Sequence, residues 1–302
     1  MTRTRDLMLT ALAPAIWGST YLVTTEALPQ GYPLTLAVLR ALPAGLLLLA
    51  LTRSLPPRAW LGRIFLLGAL NFAIFWALLF VAAYRLPGGV AATLGAMQPL
   101  MVLGLAAAFL GTRVRPASVL AASAGALGVA FLVLGPDAAL DPVGIAAGLG
   151  GALSMALGTV FSRKWQPPVP ALTFTGWQLT AGGLLLLPVA LVAEPALPPL
   201  DLVNIAGLVW LGLIGAAVTY WLWFRGLARI EPAAISMLGL MSPITAVLLG
   251  WAWLDQSLAA PQVFGAAVVL ASVWFGQAAA RRPKPDTHAN THTNNRELAN
   301  SV

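Results

Sequence analysis

RLPGGVAATLGAMQPL, residues 85–100, and RIEPAAISMLGLMSPI, residues 229–244, lie at a constant offset of 144. Arg85 matches Arg229, Leu94 matches Leu238, Gly95 matches Gly239, Met97 matches Met241 and Pro99 matches Pro243. Upstream, Leu67-Gly68 matches Leu211-Gly212 at the same offset. With a few residues of slippage the register reaches the earlier segments. Gly45 with Leu46–Leu49 lines up with Gly183 with Leu184–Leu187 at offset 138, and Gly18-Ser19 with Gly158-Thr159 at offset 140. Single Gly and Leu matches are common in apolar sequence, whereas a colinear series across most of both halves marks an internal duplication.

What is duplicated follows from composition. The 302 residues are 59% hydrophobic and 9% charged, with mean hydropathy +0.84, whereas a soluble domain carries roughly a quarter charged residues. No water-soluble core hides that much apolar surface, so the lipid bilayer is the solvent. Cutting at charges and Pro/Gly turns gives apolar runs near 7–28, 33–52, 60–84, 87–110, 117–135, 142–162, 171–193, 202–227, 232–254 and 260–280, each near the ~20 residues a spanning helix needs. MTRTRD is a basic start and Ala11-Leu12-Ala13 resembles a cleavage site. Too few apolar residues precede it for the ~7–15-residue core of a signal peptide, so an uncleaved first span is expected.

Charge sets the expected sidedness. Arg3, Arg5, Arg53, Arg58, Arg63, Arg113, Arg115, Arg163, Lys164, Arg225, Arg229, Arg281, Arg282, Lys284 and Arg296 all fall on one side of a ten-span layout. The opposite loops hold Arg85 with Asp137, Asp141, Glu194, Asp201 and Asp255. Positive charge stays cytoplasmic, which places both termini inside. The net charge of +7 is therefore a topology signal and not a nucleic-acid footprint. The tail 281–302 lacks apolar periodicity and reads as disordered and cytoplasmic. His288 and His292 within it, at i, i+4, read as solvated tail residues rather than metal ligands. The chain has no cysteine, which excludes disulfides, thiolate nucleophiles and Cys-ligated metals. No cofactor and no metal are expected.

The fold class expected is an all-α integral membrane protein of ten spans, built as a first unit over 7–135 and a second over 142–280. Five is odd, so equivalent helices cross the membrane in opposite directions. Such an inverted-topology repeat is typical of secondary transporters, because two halves that exchange shapes give outward-open and inward-open states of similar energy. Pro99 and Pro243, beside Gln98 and Ser242, recur at equivalent positions and should bend the fourth and ninth spans. They read either as gate-forming kinks or as tolerated packing kinks.

Polar and aromatic residues inside the runs are the site candidates. Intramembrane ionisable residues are expensive and usually face a cavity or a partner. Arg40 lies ~10 Å along the second span from Pro33, and Glu26 near the end of the first span is within its expected reach. The pair reads as an ion pair at the outer mouth, or as an interfacial carboxylate and a snorkelling arginine. Asn71 and Gln178, the latter equivalent to Arg40 at offset 138, can bond a substrate or join helices. Trp17, Tyr21 and Thr24 share a stripe, with Thr20 beside them, and Trp76 matches Tyr220 across the repeat. Trp60, Trp165 and Trp253 read as interfacial belt residues. Glu26 is the carboxylate within a span, and so the protonation candidate if a proton is the coupling ion.

PAIWGST at 14–20, Pro33, Arg40 and LPGGVAATLGAMQPL, then IEPAAISMLGLMSPI in the second half, resemble an EamA-type drug/metabolite transporter over residues ~7 to ~278. APAIWGSTYLVTTEALP and FVAAYRLPGG place the resemblance nearest the PecM-like subgroup. The resemblance implies a ten-helix inner-membrane exporter of small metabolites, such as amino acids, with a cavity between the halves and alternating access. It supplies no dependable list of functional residues. The second half departs from the first in lacking a WG dipeptide and in carrying Gln178 where the first has Arg40. A membrane enzyme finds little support, with no histidine in a span, no paired carboxylates and no phosphate loop. Uptake or exchange uses the same geometry as export, and a scaffold would not require matched kinks.

Overall fold

The computed structural model describes residues 3–86, 88–133, 141–254 and 259–280. The tail 281–302, with His288 and His292, lies outside them, as do Asp137 and Asp255. Among the described residues the chain is helical throughout. Ten helices are long and apolar enough to cross a membrane: α1 (Arg3–Ala27), α2 (Pro33–Thr52), α3 (Arg58–Ala82), α4 (Ala91–Leu110), α5 (Pro116–Val133), α6 (Pro142–Lys164), α7 (Ala171–Ala193), α8 (Leu202–Leu227), α9 (Pro232–Trp253) and α10 (Ala260–Ala279). Their bounds agree with the apolar runs to within a few residues.

Local chemistry explains the ends. α2, α5, α6 and α9 begin on a proline, whose missing N–H costs nothing in a first turn and whose fixed φ suits a helix start. Asp141 caps α6 by accepting from Gly144 N at 2.7 Å, and Asp201 caps α8 by accepting from Asn204 N at 2.7 Å. The start of α2 is capped from a distant helix. Glu194, at the end of α7, accepts from Leu34 N at 2.6 Å and from Thr35 N at 2.7 Å. That bidentate cap satisfies two free amides and places negative charge on the positive helix end. Arg85, basic on the otherwise acidic face, lies 3.7 Å from Asp141.

Five spans are irregular: α1 breaks at Gly18, and the other four fall in matched pairs. α4 is interrupted between Gly88–Gly95 and Gln98–Leu110, and α9 between Pro232–Leu238 and Met241–Trp253. Pro99 and Pro243 stand in the first turn of each second segment, so the expected bends are breaks placed just before the prolines. Tightened i→i−3 bonds mark both, Met97 N to Leu94 O at 3.1 Å and Leu240 N to Met237 O at 3.3 Å. α3 contains a π-helical segment at Ala69–Ala73 and α8 one at Trp210–Val218. Shifted by 144, the first falls on residues 213–217, inside the second.

Packing is set by small residues that let backbones touch. α2 packs along α7, and α5 along α10. A Cβ on Gly45 would lie 2.5 Å from Thr180 N, and one on Gly183 would lie 2.8 Å from Leu42 Cβ and 3.0 Å from Leu42 N. Leu42 and Thr180 are 138 apart, the spacing of Gly45 and Gly183. Likewise a Cβ on Gly128 would lie 3.0 Å from Val269 N, and one on Gly125 2.8 Å from Ser272 Oγ; Gly125 and Val269, and Gly128 and Ser272, are 144 apart. α1 packs on α8 and α9, while α6 packs on α3 and α4. These contacts of one half thus have counterparts with the halves exchanged.

Candidate functional site

Arg40 and a group of rings meet where α1, α2, α3 and α8 converge. Their placement starts with backbone. In the π segment of α8 the hydrogen-bond ladder shifts from i+4 to i+5, which turns carbonyls out of register and leaves them open to side chains. Gly215 O is one of these: it accepts from Thr219 Oγ1 at 2.8 Å and from Arg40 Nη2 at 2.7 Å. Trp17 Nε1, in the turn before the helix break at Gly18, donates to Thr219 Oγ1 at 2.9 Å. The Arg40 guanidinium also lies 5.4 Å from the Trp76 ring centroid. From Trp76 the rings run to Phe72 at 5.4 Å, to Tyr220 at 4.7 Å, to Trp17 at 4.8 Å and to Trp223 at 5.2 Å. Trp76, Tyr220 and Trp223 are buried, whereas Trp17 and Arg40 keep partial exposure. An arginine at mid-span costs roughly 2.5–3.5 kcal/mol on insertion scales. The carbonyl and the ring face offset part of that here.

The Arg40–Glu26 ion pair expected from the hairpin does not form. Arg40 turns toward α8 and α3, where the Gly215 carbonyl and Trp76 hold it, and Glu26 is exposed. Ser19 faces α8 as well, accepting from Trp210 Nε1 at 3.1 Å.

One layer away lies a neutral counterpart. Asn71 Nδ2 donates to Gln178 Oε1 at 2.8 Å and to Ser162 Oγ at 3.1 Å, and Ser162 Oγ donates to Gln178 Oε1 at 3.2 Å. All three are fully buried. Arg40 and Gln178 are equivalent at offset 138, and Asn71 and Gly215 at offset 144. Both clusters therefore join a polar residue on α2 or α7 to the π segment of α3 or α8. Where α8 offers a carbonyl, α3 offers an amide side chain. Gly158 on α6 makes room for that side chain, since a Cβ there would collide with the Asn71 carboxamide. Asn71→Ala should lower stability by about 1–2 kcal/mol through lost interhelical hydrogen bonds. Gly158→Ala should destabilise the parent protein clearly more than it does the Asn71→Ala protein. Thermal unfolding in detergent of the four proteins reads both effects.

The remaining sequence candidates are more scattered. Gln98 and Ser242 stand at the two breaks, partly buried, with Gln98 Nε2 lacking a partner. Ser242 O presses on α1, 2.5 Å from where a Cβ on Gly18 would be. Thr20 and Thr24 are partly buried on the second segment of α1, and the side chain of Tyr21 lies outside the described residues. Trp60 and Trp165 gather around Arg63 at 5.1 and 5.8 Å, as belt residues would. Sequence reasoning missed Phe72, Ser162, Gly215 and Thr219. Gly215 was findable, since it follows from applying the repeat offset to Asn71.

It also missed Asp6, on the arginine-rich face. Asp6 Oδ1 accepts from Arg225 Nη2 at 2.9 Å and from Arg229 Nη1 at 3.0 Å. One carboxylate thus ties the start of α1 to the end of α8, and below it the fully buried Thr10 packs against Gly226.

Comparison with known proteins agrees with this architecture. The chain is 44% identical over 263 residues to Protein PecM of Dickeya dadantii, covering 86% of this chain and 88% of that one. It is 30% identical over 242 residues to the uncharacterized inner membrane transporter YedA of Escherichia coli, covering 78% of each. A solved crystal structure superposes with a TM-score of 0.80 at 20% identity, over 93% of this chain and 100% of that one, and so shares the fold. The model of the EamA-like transporter family matches residues 5–134 and again residues 142–275. The chain belongs to the EamA-like transporter family.

Proposed function

We propose that this protein is a secondary transporter that exports small metabolites, amino acids or related compounds, across the inner or plasma membrane by alternating access. Its halves, 7–135 and 142–280, form an inverted-topology repeat with both termini cytoplasmic. The observation that carries this reading is the reciprocity of the packing, in which Gly45 against Thr180 is mirrored by Gly183 against Leu42. An odd number of spans per half makes that mirror an inversion, and an inverted pair has two exchangeable states of similar energy. The breaks before Pro99 and Pro243 supply hinges at equivalent depths. The one-sided arginines support cytoplasmic termini, and the relative named as an inner membrane transporter supports the location.

Reconstitution in liposomes with a panel of labelled amino acids and metabolites tests the proposal. Saturable flux supports it, flux favoured in the uptake direction reverses its sense, and no flux across a broad panel sinks it. Glu26 is the proposed proton-coupling group. Glu26→Gln should then uncouple export from a pH gradient, and a variant that keeps its full gradient dependence removes Glu26 from that role.

A further inference from the structure

We infer that Arg40 and the rings beside it recognise the carboxylate of a planar organic anion; this rests on the transport reading above. The guanidinium has no carboxylate partner among the described residues, and Glu26 is exposed on another face. The carboxylates nearest the helix ends are engaged elsewhere: Asp6 by Arg225 and Arg229, Asp141 by Gly144 N and Arg85, Glu194 by the start of α2, and Asp201 by Asn204.

The group is nonetheless held in place. One nitrogen is fixed on Gly215 O and the plane rests near Trp76, while Nε is buried without a partner and the residue keeps partial exposure. A pre-positioned guanidinium with unused donors suits a carboxylate, whose two oxygens match its fork. Away from bulk water the attraction is stronger than at a surface. Trp17, partly exposed and packed at a tilt against Tyr220 and Trp223, offers aromatic surface against which a flat body packs. The same charge repels a substrate whose only ionised group is an amine.

The other half shows what a purely structural version of this position looks like. Gln178 is neutral and fully buried, and its oxygen is taken by Asn71 and Ser162. The repeat therefore carries one charged, partly exposed half-site and one neutral, fully buried one, which gives a single anion site per chain.

Isothermal titration of the purified full-length protein with indole-3-acetate, indole-3-acetamide, phenylacetate and phenylacetamide tests this, alongside flux of the same labelled compounds in liposomes. Each acid should bind about tenfold or more tighter than its amide, as expected for losing a hydrogen bond to a charged group. Arg40→Gln should erase that preference, and Arg40→Lys, which keeps the charge and loses the fork, should keep a reduced one. Equal affinity for acid and amide in the parent protein overturns the site, as does an unchanged preference in Arg40→Gln or no binding of either acid. If Arg40→Gln fails to fold, an undiminished preference in Arg40→Lys overturns it as well. Saturable flux without charge preference overturns the anion site and leaves the transport reading standing. Acid-selective binding without flux supports the site and overturns the transport reading.

Discussion

Gly45→Val and Gly183→Val should each destabilise the protein by about 3 kcal/mol, the upper end of what overpacking costs. At both positions the atoms in the way include backbone of the opposing helix, Thr180 N and Cα for Gly45, and Leu42 N and Cα for Gly183. A flexible side chain can swing aside, but a helical backbone yields only by moving the whole helix. Among the described residues α2 and α7 form one of the two most extensively packed helix pairs, so separating them loosens the centre of both halves. The two losses should be similar in size, because each glycine meets the residue equivalent to the other's neighbour. Gly62→Val and Gly104→Val are the controls. A Cβ at either meets nothing within 4 Å, and both should unfold within about 1 kcal/mol of the parent, because glycine and a β-branched residue differ by only a few tenths of a kcal/mol in helix propensity. Thermal unfolding in detergent measures all four. Normal stability of Gly45→Val would mean that the α2–α7 crossing is not as close as described.

The spans were legible because lipid enforces them. Every backbone group in the bilayer must bond within its own helix, so apolar length, proline starts and flanking arginines leave little freedom. The duplication was legible for a similar reason, since Gly45 and Gly183 are required by contact and cannot drift. The π segments were not legible. GALNFAIFW and GLVWLGLIGAAV carry no residue that forces an i+5 bond, and the distortion depends on neighbouring helices. That hidden backbone shift decided where Arg40 goes, a point on which the sequence left an ion pair with Glu26 and a snorkelling arginine both open. Helical spacing put Arg40 within reach of Glu26, but it could not reveal an open carbonyl at Gly215 on a helix 175 residues away. Asn71 and Gln178 were each visible as amides out of place. Their contact became readable only when the halves were set against each other. Asp6 was hidden by its surroundings, because an acid among arginines at a helix start looks like part of a topology signal.

Asp6→Ala should open the arginine-rich face. In the parent that end is spanned by the Asp6 bridge from α1 to Arg225 of α8 and to Arg229 in the turn after it, and by Pro232–Leu238 of α9 packing on Gln98–Leu110 of α4. Removing the carboxylate leaves Arg225, whose side chain is 12% exposed, beside Arg229 at 43%. The tie between the start of α1 and the end of α8 is then lost. A partly buried bridge of this kind is worth about 1.4–2.8 kcal/mol, between a surface pair and a fully buried one. The open population should therefore rise about 10- to 100-fold. The absence of cysteine from the chain gives a direct readout. Thr10→Cys places a thiol at a fully buried position directly behind the bridge. A membrane-impermeant thiol reagent added on the face that carries Arg225 should label it slowly in the parent and at least tenfold faster with Asp6→Ala. Asp6→Glu should keep labelling slow, and Asp6→Arg with Arg225→Asp should recover part of the protection by restoring one pair. If alternating access is the mechanism, the same Asp6→Ala protein should lose net flux while still exposing its interior, because a transporter held open on one face cannot complete its cycle. Fast labelling with undiminished flux would separate the bridge from the transport cycle, and slow labelling would show that Asp6 does not hold this end closed.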